Sequence, residues 1–149
     1  MTSDPVANTG ERPLSETTSQ DAEQLLERYD ELWSGDRSKL DVVSESISFH
    51  SPLDEVRGRD ALEAFLREQE AAFPDGTVET DAALVGDEMI MHEFTWTGTH
   101  EAAFEGIEPT GRTVEVAGMA TLTIDDGKIT EDRTYFDSEA LLAQLGAAE

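Results

Sequence analysis

The sequence contains no cysteine, which excludes disulfides and a thiolate nucleophile. Its three histidines, His50, His92 and His100, are dispersed and show none of the spacings of zinc sites, so a structural metal is not expected. Basic residues are scarce. Ten Lys and Arg, only two of them lysine, face 34 Asp and Glu, for a formal net charge of −24. A field of this sign repels phosphate backbones and no basic stripe offsets it, so nucleic acid is not expected as a partner. No apolar run approaches the roughly 18 to 20 residues that span a bilayer, and the opening MTSDPVANTGERPLSETTSQD has no apolar signal-peptide core. The expectation is a protein of the cytoplasm with no membrane association.

What is present is one domain's worth of chain: 149 residues, enough for one core and a modest pocket but not for two cores. The acids sit among regularly spaced Leu, Phe, Val and Trp, which indicates a folded core rather than a disordered acidic chain. Such a surface suits high salt, because at molar ionic strength the Debye length falls to about 3 Å and self-repulsion is screened.

Residues 1–19 are rich in Ser, Thr, Pro and acids without apolar period and read as a flexible acidic tail, ahead of a folded domain over 20–149. From Asp21, a candidate cap with Gln24 three residues on, Ala22, Leu25, Leu26, Tyr29, Leu32 and Trp33 recur at helical spacing until Gly35. A short second helix around Asp36 to Val43, a strand at ISFHSP (47–52) and a turn at DEVRG follow. A helical stripe of Leu62, Phe65, Leu66, Gln69 and Phe73 then ends at Pro74. The second half changes period. Thr77–Val85, Glu88–Thr97, Arg112–Ile124 and Lys128–Asp137 read as strands of an antiparallel meander, and SEALLAQLG (138–146) as a closing helix. The order implies an α+β fold with helices gathered on one face of a curved sheet.

Between two of those strands lies GTHEAAFEGIEPTGR (98–112), with three glycines around Phe104 and Ile107. A connection this long inside a compact domain is usually functional. The apolar pair Phe104 and Ile107 argues against disorder in it. Phe94 and Trp96 share a strand face with Ile90 and His92, which points His92 inward as a core histidine or a catalytic one.

FHSP (49–52), the helix after RGRDAL, AFPDG (72–76), WTGTH (96–100), PTGR (109–112), DGKI (126–129), YFD (135–137) and LLAQLG (141–146) together form a pattern. It resembles the SnoaL-like polyketide cyclase or ester cyclase family, in the superfamily of nuclear transport factor two and ketosteroid isomerase, from about residue 21 to 146. The resemblance implies a cone-shaped α+β barrel, a curved antiparallel sheet wrapped on helices, with a ligand pocket between the two and dimerisation through the outer sheet face. It implies cofactor-free acid/base chemistry, of cyclase/aldol or isomerase type, on an apolar carbonyl-containing substrate; a non-catalytic small-molecule-binding dimer is the alternative, and a purely structural dimer would have its pocket filled by aromatic rings. The expected pocket residues are Trp33, His92, Phe94, Trp96, Met119, Thr121, Thr123 and Tyr135, and in such a fold the connection 97–112 lies at the open end of the cone, with Phe104 and Ile107 as a lid over the pocket or, alternatively, packed onto a dimer partner.

Asp137 matches the family's acid/base aspartate, and an apolar wall raising its pKa would make it a base. Its place before SEALL equally fits a helix N-cap. His50 matches a position at the pocket mouth, where it would donate to a substrate oxygen or orient the aspartate; a strand-end histidine bonded to backbone is the other reading. Fourteen residues before Asp137, where ring-closing relatives carry a histidine, stands Thr123, which cannot carry positive charge. Arg133, four before Asp137 and on its strand face, could supply that charge, or could sit in a surface salt bridge.

Overall fold

The computed structural model describes residues 12–146, so residues 1–11 of the expected tail lie outside the described residues. Helix α1 (Arg12–Trp33) starts ahead of the Asp21 cap that the apolar spacing indicates. Residues 12–20 carry no apolar period in sequence, and Pro13 falls in the first turn of the helix, where a missing backbone N–H costs nothing. A short 3₁₀ helix (Arg37–Val42), capped by the Asp36 side chain, leads into β1 (Val43–His50). The segment expected to turn carries a short strand, β2 (Glu55–Arg57), paired antiparallel with β1. Then come α2 (Arg59–Ala72), β3 (Thr77–Val85), β4 (Met89–Thr99), β5 (Thr113–Asp125), β6 (Lys128–Phe136) and α3 (Ser138–Gln144).

The six strands form one sheet in the order β2-β1-β6-β5-β4-β3. β3 to β6 are the expected antiparallel meander, while β1 closes on β6 in parallel. The β5–β6 turn places both Asp126 (φ 54°) and Gly127 (φ 75°) in the left-handed region, the conformation that two-residue hairpin turns require. α1 packs on β3, α2 on β1 and α3 on β5, so the helices cover one face of the sheet and the other is left to solvent. No helix among the described residues is long and apolar enough to cross a membrane.

Two groups of side chains fill the covered side. The larger joins the α1 stripe (Leu25, Leu26, Tyr29, Leu32) to Ile47, Phe49, Leu62, Ile90, Leu122 and Ile129. The smaller, around Phe73, Val114, Val116, Leu141 and Leu145, takes in Phe104 and Ile107 from the long connection. Each fully buried aliphatic side chain contributes roughly 1.5–3 kcal/mol. Between the two groups the packing does not close.

Candidate functional site

A cavity of about 110 Å³ remains between the sheet and α1 and α2. All six phenylalanines of the chain, both tryptophans and Tyr29 line it, leaving only Tyr135 outside. Tyr29 and Trp33 lie one turn apart on α1, so helical geometry presents both on the packed face, with Asp30 beside them. From the sheet, β4 contributes His92, Phe94 and Trp96, and β6 contributes Asp132, Thr134 and Phe136.

Asp132 is 2% exposed. Its Oδ2 accepts from the Tyr29 hydroxyl at 2.5 Å and its Oδ1 from Thr134 Oγ1 at 2.6 Å. Burial outweighs both hydrogen bonds and pushes its pKa up to about 6, since desolvation penalises the carboxylate more than two donors repay. Burial and the neighbouring Asp132 raise the Tyr29 phenol well above its ordinary value, so it stays a donor. The Trp33 indole N–H is buried with no hydrogen-bond acceptor; its ring meets Tyr29 edge-on with centroids 6.2 Å apart.

A second polar chain reaches the cavity from α1. Thr80 Oγ1 donates to Asp30 Oδ2 at 2.6 Å and lies 3.1 Å from His92 Nδ1. The hydroxyl has one proton, and with it given to the carboxylate, Nδ1–H of His92 must donate to Oγ1 and leave Nε2 as a lone-pair acceptor. Burial keeps the imidazole neutral, lowering its pKa to about 4, and raises Asp30 to about 6. Among the described residues no three His, Asp or Glu side chains converge to hold a metal.

Of the residues singled out from sequence, Trp33, His92, Phe94, Trp96 and Phe104 line this cavity. Ile107 stands behind it: Phe104 and Ile107 exchange backbone hydrogen bonds at 3.0 and 2.8 Å across a tight hairpin, and Phe104 packs edge-on against Phe73 at 5.2 Å. His100 ties down the base of the same connection, fully buried, its Nδ1 accepting from Thr110 N–H at 3.1 Å.

The remainder lie elsewhere. Asp137 is exposed and caps α3, its Oδ1 accepting from Ala140 N–H at 3.0 Å. Arg133 is exposed and paired with Glu131 at 3.1 Å. His50 is exposed beside Glu55 at 3.5 Å, because Phe49 and Ser51 take the inward positions of FHSP. Met119, Thr121, Thr123 and Tyr135 point from the outer sheet face, Met119 at 49% and Tyr135 at 53% exposure. β4 and β5 pair with even residues opposite even residues, Ile90 with Leu122 and Phe94 with Gly118, so the inward side of β5 is Val114, Val116, Ala120 and Leu122.

On β6 a register shift opposes Ile124 to Ile129 but Thr123 to Glu131. The extra residue is a β-bulge, and it moves the inward side from odd to even positions. Ile129 faces the core, and so do Asp132 and Thr134, while Arg133, Tyr135 and Asp137 are carried outward. That bulge is why alternation along β6 does not mark Asp132, while on α1 the apolar stripe marks Tyr29 as core and passes over Asp30. A carboxylate and a threonine alternating toward Phe136 was the available signal for Asp132.

Residues 23–145 match the family model of the SnoaL-like polyketide cyclases. Among solved structures the chain is similar to TsrD of Streptomyces laurentii, at 25% identity over 86% of this chain and 96% of that one, with a TM-score of 0.78. It is similar to AclR of Streptomyces galilaeus, described as a candidate hydroxylase, at 26% identity, 86% and 82% coverage and a TM-score of 0.74. IdmH of Streptomyces antibioticus, described as a candidate polyketide cyclase, matches at 25% identity, 84% and 98% coverage and a TM-score of 0.72. No curated protein matches the chain.

Proposed function

The chain belongs to the SnoaL-like polyketide cyclase family, and from that premise we propose that it is an enzyme of cofactor-free acid/base chemistry on a small, largely apolar carbonyl compound. The observation that carries this reading is Asp132, a buried carboxylate with its pKa raised to about 6 in the wall of an aromatic cavity. A general base works best when its pKa lies near the working pH, and burial does this for a carboxylate.

In the proposed cycle Asp132 removes a proton from the carbon next to the substrate carbonyl. The negative charge that develops on the carbonyl oxygen needs a hydrogen-bond donor, and the donor proposed is Trp33, whose indole N–H has no acceptor in the protein. The carbanion then attacks a second carbonyl of the same molecule, and the new alkoxide takes the proton back from Asp132; reprotonation at another carbon would give an isomerase. Tyr29 and Thr134 hold the carboxylate, and Nε2 of His92 accepts from a substrate hydroxyl. Phe104 is the lid over this space.

The test needs no knowledge of the natural substrate. In D2O the protein should accelerate hydrogen–deuterium exchange next to the carbonyl of 2-tetralone, read by proton NMR; Asp132→Asn should lose that acceleration and Asp137→Asn keep it. Acceleration that survives Asp132→Asn would remove Asp132 from the chemistry. A second reading, a non-catalytic binding domain, is favoured by the engagement of both Asp132 oxygens in hydrogen bonds, and it predicts no exchange in any variant.

We also propose a homodimer through the outer sheet face, where Leu84, Met89, Met91, Met119 and Tyr135 are exposed together. Met119→Glu should convert a dimer to a monomer in light scattering; a wild-type monomer at all concentrations would end this idea.

A further inference from the structure

The cavity has an unusual balance of charge. Its charged lining residues are Asp30, Asp54 and Asp132, and neither Lys nor Arg is among the residues that line it. His92 does not compensate, because burial keeps it neutral. Asp132 has hydrogen-bond donors on both oxygens, but Asp30 has only Thr80 on Oδ2; its Oδ1 has no hydrogen-bond partner and it has no ion pair among the described residues. Tyr29 links the two carboxylates: Asp30 is its neighbour on α1 and Asp132 accepts its hydroxyl.

Much of the remaining lining is aromatic. Trp33, Phe49 and Phe65 form a cluster with ring centroids 5.1, 6.1 and 5.5 Å apart. A neutral apolar ligand would strip water from Asp30 and give nothing back, and an anion would add repulsion. Aromatic faces attract cations, most strongly where water is excluded, and a carboxylate supplies the counter-charge.

We propose that the ligand of this cavity carries a positively charged nitrogen, an apolar amine or quaternary ammonium, held against the Trp33, Phe49 and Phe65 rings with Asp30 as its counter-ion. The inference rests on the reading of the cavity as a small-molecule site and not on Asp132 acting as a base. It gives Asp30 a role that the carbonyl chemistry does not require, and it narrows the substrate class to carbonyl compounds bearing an amine.

The experiment compares two molecules of the same shape, phenyltrimethylammonium and tert-butylbenzene, which differ in the charged nitrogen. Binding is read from the fluorescence of Trp33 and Trp96, both in the cavity wall. The buffer is 1 M KCl, which screens the general attraction of a −24 chain for any cation. The ammonium compound should bind wild-type protein at least tenfold more tightly than its carbon analogue. Asp30→Asn should cost the ammonium at least tenfold and leave tert-butylbenzene binding unchanged, which also shows that the variant is folded. Equal or tighter binding of tert-butylbenzene to wild type, or no binding of either, overturns the proposal without recourse to the variant. Deuterium exchange that is absent while the ammonium preference stands would sink the chemistry and leave this inference intact.

Discussion

Asp132 is held in a wall that disfavours its charge, and a group kept there at a cost to folding leaves a thermodynamic signature. Its pKa of about 6, against 3.8 for the ordinary carboxylate, means that the native state holds a proton the unfolded chain has released between about pH 4 and 6. Stability therefore falls as pH rises through that window and the full cost, on the order of 2–3 kcal/mol, is present above it. Asp132→Asn should melt at a higher temperature than wild type at pH 8, and the gap should close by about pH 4; a variant less stable than wild type at pH 8 would mean that the carboxylate is structural. His92 runs the other way. Its neutral form contributes stability that is full above about pH 6.5 and lost as pH falls through about 4, but both proteins carry it, so the difference between them isolates Asp132.

The strands and turns around the cavity divide roles that the sequence pattern joined. Asp137 is the cap of α3, and Asp137→Ala should cost about 1 kcal/mol in denaturant unfolding, with Asp137→Asn close to wild type and ligand binding unchanged in both. In the long connection, Phe104 lines the cavity while Ile107 packs into the second core group. Phe104→Ser should weaken binding of an apolar ligand, and Ile107→Ser should lower stability more than affinity; equal effects of both on affinity would make the pair one lid. The elements themselves were legible: the stripes from Ala22 to Trp33 and from Leu62 to Phe73, and the four alternating runs, gave the order of helices and strands and the family pattern. The site was legible where a helix stripe or a single strand face decided it, at Trp33, His92, Phe94 and Trp96, and at Phe104, whose apolar side chain stands out in a glycine-rich connection. Alternation shows correctly that Arg133 and Asp137 share a face, but not which face. That depends on the pairing of β5 with β4 and on the bulge near Thr130, both set by contacts between strands distant in sequence.

At the level of the complete chain, charge is the dominant feature. The −24 net charge is spread over a surface with few counter-ions, and self-repulsion of that size weakens a compact state in dilute buffer. Thermal stability should rise between low salt and molar KCl, together with the fraction of the proposed dimer, since two copies of like charge approach more easily when screened; a melting temperature indifferent to salt would remove the high-salt reading. One buried acid, Asp132, lies in the wall of an aromatic hollow, and the proposed chemistry depends on it. The carboxyl carbon of Asp132, assigned by its absence from Asp132→Asn and followed by NMR as a function of pH, tests that most directly. A midpoint near pH 6 is predicted, and a midpoint at or below pH 4 would contradict it.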